Sequence, residues 1–267
     1  MLRSSAASGL VLATQKLNGI TGRGTSRVVS GPVAAMDEPA YQHRVLESLG
    51  SAQNYIAWLA SLARPYLGDD PIEIGAGAGD YAAAWLAEGV GRITLTEADR
   101  HLLGALRSRF ERDNRVAVRE LDVMTSPEAE HSAVVAFNVL EHIEDDVGAL
   151  RSARRLVRPG GAIVMLVPAF EFATSRFDHD IGHHRRYTKK TVGAAYRNAG
   201  IEVELLAYVN APGLFGWIVA MKWFRRAPSE GVLLRVWDNA VVPVARRVEA
   251  VKAPPFGQSL LAVGRSS

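Results

Sequence analysis

Asp178, His179, Asp180, His183, His184, Arg185, Arg186 and Tyr187 fall within one short stretch, FDHDIGHHRRYTKK, residues 177–190. An imidazole can take up a proton near neutral pH, because the ordinary histidine pKa is about 6.5. His183 is the expected base, with Asp178 and Tyr187 as its companions in proton handling. The plainer alternative is that one histidine anchors the loop while the other faces solvent. Arg185 and Arg186 carry planar forks that suit a carboxylate or phosphate, or an internal ion pair with Asp178 or Asp180. Histidines and acids together can also ligate a divalent metal, but solvated loops carry the same residues, and no metal is expected.

A second stretch, EIGAGAGDY at residues 73–81, spaces Gly75, Gly77 and Gly79 on alternate positions after a short apolar run. Glycine admits positive φ and lets a ligand approach the backbone closely. A dinucleotide turn would read G-x-G-x-x-G, with the pyrophosphate at the helix mouth. Here Asp80 occupies that mouth, where a second anion would be repelled, so a cationic ligand suits the site better, with Glu73 as a further carboxylate. Glu97 closes TLTE about twenty residues beyond the glycines, where a carboxylate can take both hydroxyls of a ribose. Asp122 closes VRELD and can accept from an exocyclic amino group. Taken singly, each is an ordinary surface acid; together they outline an adenosine with a charged tail.

The elements needed to position these groups alternate along the chain. Tyr55, Trp58, Leu59, Leu62 and Tyr66 recur at helical spacing, predicting a helix over 51–67 that Pro65 bends or ends. Strands are expected at 71–75, 91–97, 115–121 and 132–138. A helix opens near Asp146, and RPGG at 158–161 closes it and turns into a fifth strand, AIVMLVP. A long polar loop over 169–187, a helix over 188–198 and strands at 203–208 and 259–263 complete the pattern. Such alternation calls for a mainly parallel sheet with helices on both faces, whose ligands lie beyond the carboxyl ends of the strands.

EIGAGAGDYAAAW, LTEAD, LDV, FNVLEHIEDD and RLVRPGGAIVMLVPA follow one another in an order and spacing that resembles the class I S-adenosylmethionine-dependent methyltransferases. The resemblance covers roughly residues 50–210. It implies an α/β, Rossmann-like, seven-stranded mixed sheet with an antiparallel last strand, and a helical or aromatic insertion before that strand. The cofactor it implies is S-adenosylmethionine, leaving as S-adenosylhomocysteine. Glu73, Gly75, Ala76 and Gly77 would then serve its methionine part, Glu97 and Ala98 its ribose, and Asp122 and Val123 its adenine. After the fourth strand, Asn138 would meet the methionine part through its backbone and side chain, with Val139 also on the cofactor and Leu140 closing the pocket. Glu141 and His142 read as residues that bond the loop and set the next helix.

GHHRRYT, followed by a helix and a strand ending in YVN, is similar to a subgroup acting on sugars, lipid-linked glycans and specialised metabolites. That likeness implies that His183, Arg186, Tyr187 and Asn210 face the acceptor; Tyr208 and Trp217 complete the expected acceptor contacts. The expected reaction is methyl transfer to a hydroxyl of a small-molecule, sugar or glycan-like acceptor, phosphorylated or lipid-linked forms included. N-methylation of an amino sugar or amine, a noncatalytic methyltransferase-like scaffold and an NAD-dependent oxidoreductase are the alternatives.

The chain has 267 residues, 48% hydrophobic and 22% charged, with a net charge of +3. That composition supports one sizeable globular domain, and the charge is too weak to imply nucleic acid. With no cysteine in the sequence, disulfides, thiolate metal sites and cysteine nucleophiles are excluded. Residues 1–35 are basic and rich in serine and glycine, and read as a flexible arm, an import peptide, or sequence ahead of a working start at Met36. The domain proper is expected over 36–267, in the cytoplasm. Its insertion at 211–256, with Phe215, Trp217, Trp223, Phe224 and Trp237, reads as a small helical core or an acceptor-binding cap. Peripheral contact with the inner face of a membrane through that insertion is compatible with its apolar residues. Homo-oligomerisation is left open.

Overall fold

The computed structural model describes residues 51–125, 128–219 and 232–266. The expected N-terminal arm, together with Trp223 and Phe224 of the insertion, lies outside the described residues.

Seven strands form a single sheet in the order β3-β2-β1-β4-β5-β7-β6. They are β1 Pro71–Ile74, β2 Ile93–Glu97, β3 Val116–Glu120, β4 His131–Phe137, β5 Val157–Pro168, β6 Ile201–Val209 and β7 Ser259–Ser266. The first five pair in parallel, and β7 runs antiparallel between β5 and β6. The strand order reverses between β1, which neighbours β2, and β4, which neighbours β5. This makes the carboxyl ends of β1 and β4 the switch point where a ligand crevice opens.

Side chains alternate across the strands, so each central strand feeds two cores. Ala133, Val135 and Phe137 of β4 pack with Trp58, Trp85 and Leu106 on one face, whereas Val134 and Ala136 pack with Leu150, Val192 and Tyr196 on the other. The first face is covered by α1 (Gln53–Ala63), α2 (Asp80–Ala87) and α3 (Arg100–Phe110), and the second by α4 (Asp146–Arg155). As the sequence implies, α1 stops before Pro65, which lies in a 3-10 turn over Arg64–Tyr66. Strand β5 begins earlier than expected. RPGG belongs to it as an irregularity, because the pairing jumps from His131 opposite Val157 to Ala133 opposite Ala162. Gly160, at φ 76, absorbs the extra chain.

The polar loop after β5 contains a short helix, α5 (Arg176–Asp180), and leads into α6 (Lys189–Asn198), whose N-cap is Thr188. The described part of the insertion is helical: α7 (Ala211–Val219), then α8 (Val232–Val236), a π-turn over Trp237–Val241 and α9 (Val242–Val251). Two carboxylates fasten it to the sheet domain. Asp238 accepts the backbone N–H groups of Asn54 and Tyr55, capping α1, which has no cap of its own. Glu249 accepts those of Asn210 and Ala211 at the start of α7. Among the described residues, no helix is long and apolar enough to cross a membrane.

Candidate active site

The turn after β1 is built from backbone. Gly75, Gly77 and Gly79 have φ of 66, 55 and 80, conformations that L side chains rarely adopt. Space also forbids larger residues: a Cβ at Gly75 would lie 2.7 Å from Val139 Cγ2, and one at Gly79 would lie 2.5 Å from the Phe110 ring. The Gly79 N–H bonds the Ala76 carbonyl at 2.8 Å, and Ala76 N–H bonds Thr96 of β2 at 2.9 Å.

Glu97 locks this loop. Its Oε2 accepts the Gly77 N–H at 2.9 Å, while Oε1 accepts those of Ala98 and Asp99 at 2.8 and 3.0 Å. A carboxylate offers about four lone-pair sites. Three are filled here, so one on Oε2 is left for a ribose hydroxyl, where the sequence suggested room for two. Glu73 lies beside it, 2% exposed, and its Oε2 has no hydrogen-bond partner among the described residues. Burial, and then the nearby Glu97 and Asp80 charges, push its carboxyl well above the usual range. A buried acid in that state fits a ligand that brings a cation.

Asp80 is not the bare anion that its place at the α2 mouth suggested. Arg109 Nη1 bonds its Oδ1 at 2.7 Å and also caps the Ala78 carbonyl. The repulsion expected against a diphosphate is therefore partly cancelled. The stronger argument against a dinucleotide fold is the strand order, since the dinucleotide-binding sheet runs 3-2-1-4-5-6 without the antiparallel insertion of β7.

Asp122 is exposed and uses Oδ1 to cap a short turn through the Met124 N–H at 2.9 Å, with the buried Val123 beside it. At the end of β4, Asn138 takes φ 55, and Val139 and the buried Leu140 follow. The residues expected around a cofactor thus come together at the ends of β1, β2, β3 and β4.

Beside this turn, the loop after β5 is strapped onto the turn after β4. His184 N–H bonds the Glu141 carbonyl at 2.8 Å, and Arg185 bonds the Glu144 carbonyl at 2.6 Å and Asp146 at 3.1 Å. Asp178, 1% exposed, is the hub. Its Oδ1 meets His183 Nδ1 at 3.0 Å and the Arg186 guanidinium at 2.7 and 2.8 Å, while Oδ2 accepts from Ser175 N and Oγ, both at 2.8 Å. Burial alone would raise this carboxyl, but the His183 bond, the Arg186 charge and the Ser175 donors outweigh it and hold it down at about 2.

With Nδ1 on Asp178, His183 turns Nε2 toward Glu141 Oε1, 3.7 Å away. Glu141 is fully buried, and neither of its carboxylate oxygens has a hydrogen-bond partner among the described residues. Burial pushes it up to about 8, against the opposing pull first of its own backbone N–H, which lies near the carboxylate without meeting hydrogen-bond geometry, and then of the Arg186 charge. Sequence reasoning treated Glu141 as a loop residue. The signal for more was an acid directly before a histidine, immediately beyond the pocket-closing Leu140.

Other expected acceptor residues are engaged within the protein. The Arg186 fork is committed to Asp178 and lies 4.8 Å from the Trp217 ring. Tyr187 donates its hydroxyl to Asp146 at 3.0 Å, and burial, with the Asp146 charge, raises its pKa, so it remains a phenol. Asn210 is 1% exposed at φ 62, with its amide bonded to Gln258 Oε1 and the Gly213 N–H. It forms the joint between β6 and α7. Trp217 donates to the Ala173 carbonyl at 3.0 Å and packs edge-on against Phe177. Tyr208 stacks on Phe170 at 4.7 Å, and Phe170 stacks in turn on Phe172 at 5.2 Å.

Residues 72–163 match a family model described as a methyltransferase domain. The chain is 30% identical over 148 residues to a protein of Mycolicibacterium smegmatis described as a probable S-adenosylmethionine-dependent methyltransferase, covering 54% of this chain and 56% of that one. It spans about half the length of the curated relatives it matches. Among solved structures, it superposes with a TM-score of 0.60 on a chain from the complex containing the Trm112 methyltransferase activator of Haloferax volcanii. That match is 16% identical and covers 87% of this chain and 99% of the other. A geranyl diphosphate C-methyltransferase of Streptomyces coelicolor, in complex with S-adenosyl-L-homocysteine, superposes at 0.57 with 12% identity, covering 78% of this chain and 77% of that one. Residues 72–163 thus carry the match to a methyltransferase domain, on a seven-stranded sheet of the fold that the superposed structures share.

Proposed function

We propose that the chain transfers a methyl group from S-adenosylmethionine to a hydroxyl oxygen of a small, ring-bearing acceptor such as a sugar or glycan. Bound in the crevice, the cofactor supplies a methyl group already made electrophilic by its sulfonium. The protein's share is then to hold an oxygen in line, about 3 to 3.5 Å away, and to remove its proton as attack proceeds. The first task falls to Glu73, the glycine turn, Glu97 and Asp122 on the cofactor, and to the stacked Phe170, Phe172 and Tyr208 on the acceptor. Phe172 is 59% exposed, so this stack has a face free for a ring.

The observation that carries an oxygen acceptor is His183 itself, held through Nδ1 by Asp178 with its Nε2 left 3.7 Å from Glu141 Oε1. It adjoins the turn that holds Asn138, Val139 and Leu140, and so the cofactor pocket. A hydroxyl brought to His183 Nε2 can pass its proton to the ring when no ion stands there, with Asp178 fixing the imidazole through Nδ1. The acceptor O–C bond then forms as the cofactor's S–C bond breaks, and the proton goes to the imidazole. An amine acceptor, already neutral, would not need this arrangement.

The test is a panel of sugar, glycan and amine acceptors, read by mass spectrometry for one added methyl group, with the methylated atom then located by NMR. A hydroxyl product, lost in His183→Ala with cofactor binding retained, supports the reading. Methylation at nitrogen or carbon overturns the oxygen assignment.

A further inference from the structure

Glu141 presents a problem that methyl transfer does not solve. A fully buried carboxyl with two unpartnered oxygens is costly, because desolvation is repaid only by a hydrogen bond or a counter-charge. Two imidazoles close around it. One ligand atom from each of Glu141, His142 and His183 lies within 4.8 Å of the others, and the two rings meet edge to face at 4.5 Å. Glu141 is enclosed while both histidines are partly exposed, which leaves the cluster a way in from solvent.

We propose that Glu141, His142 and His183 form a binding site for a divalent transition-metal ion in the acceptor half of the crevice. The donor set is two imidazole nitrogens and one carboxylate, which favours zinc and its first-row neighbours over magnesium or calcium. The geometry around His183 points the same way. Asp178 accepts from Nδ1, fixing the tautomer that leaves the Nε2 lone pair toward Glu141. A carboxylate behind a ligating histidine is the usual outer support of such a site. Asp178 is itself pinned by Ser175 and Arg186, so the ring is held before any ion arrives.

Three protein ligands leave at least one coordination position open. On the oxygen-acceptor reading, that position takes the acceptor hydroxyl. An ion there would lower the pKa of that hydroxyl, and His183, as a ligand, would not then serve as the base.

The test is titration of the EDTA-treated full chain with Co2+, followed by its visible absorption, without S-adenosylmethionine or acceptor. One Co2+ per chain is expected, with bands of imidazole and carboxylate ligation, displaced by Zn2+ and not by Mg2+. Glu141→Gln and His142→Asn should each weaken binding by about tenfold or more. His142 is partly exposed, so its variant keeps the core intact, and melting curves of both variants verify the fold. Absence of saturable Co2+ binding, or binding unchanged in both folded variants, overturns the site. Because binding is read without turnover, a chain that takes the ion but methylates nothing contradicts the oxygen-acceptor reading and leaves the metal site standing.

Discussion

The two halves of the crevice are built by different means. The cofactor half is backbone geometry: three glycines at positive φ, strand ends that deliver Glu97 and Asp122, and a single side chain, Glu97, that locks the turn. The half that the proposed function gives to the acceptor is side-chain chemistry, in which Asp178 pairs with His183 and Arg186, and Arg185 with Asp146. The first is a socket fixed by local sequence and shared topology. The second depends on two loops meeting, and Glu141, whose carboxylate oxygens lack a hydrogen-bond partner among the described residues, is where the proposed ion would bind.

If this contrast holds, damage to the acceptor half should register first as lost stability. Asp178→Ala leaves the buried Arg186 guanidinium without its counter-charge and should cost about 3 to 5 kcal/mol, measured by denaturant unfolding. A cost under about 1 kcal/mol, that of an exposed pair, would mean that the hub is not structural.

Gly79→Ala should come next, at about 2 to 4 kcal/mol, because the left-handed backbone strain adds to a Cβ pressed on Phe110. The cofactor should bind more weakly in the same variant. A stable variant with full affinity would show that the turn is not the rigid part.

Glu97→Ala should weaken S-adenosylhomocysteine binding by about 1.5 to 3 kcal/mol, with the fold retained, through loss of charge-assisted bonds to ribose and to the turn. Calorimetric titration reads this directly. Unchanged affinity would remove Glu97 from the site and collapse the distinction between the halves.

The last effect is a slope, small for each pH unit although it accumulates over the window. Glu141 titrates at about 8 in the folded protein and at the usual 4.5 when unfolded, so over that window the folded chain holds a proton that the unfolded chain has released. Metal-free protein should therefore lose stability as pH rises from about 4.5 to about 8, by at most about 1.4 kcal/mol per pH unit. Glu141→Gln should flatten that slope. Asp178 acts at the other end: its depressed pKa of about 2 contributes stability that is complete above about pH 4 and lost as pH falls toward 2.

The difference between the halves also explains what the sequence could reveal. Strand ends, helix spacing and the glycine turn are local signals, and β1 to β4, α1 and the closing β6–β7 pair lie close to where those signals put them. RPGG was misplaced because a turn-like dipeptide pair can also be an irregularity inside a strand, and only the β4 pairing decides which. Arg186 and Asn210 carry groups suited to a ligand, yet their partners, Asp178 and Gln258, bind them within the protein. Asp80 looked like an isolated acid until Arg109, on the next helix, reached back to it. Pairings between distant segments have no periodicity to read, and the burial that makes Glu141 distinctive appears only when two loops close over it.

The most direct measurement is calorimetric titration of the protein with S-adenosylhomocysteine and, separately, with NADH. A one-to-one complex with S-adenosylhomocysteine, weakened in Glu97→Ala, and no comparable heat from NADH are the expected results. Tight NADH binding with none of the adenosyl sulfide would contradict the reading of the crevice on which the proposed chemistry rests.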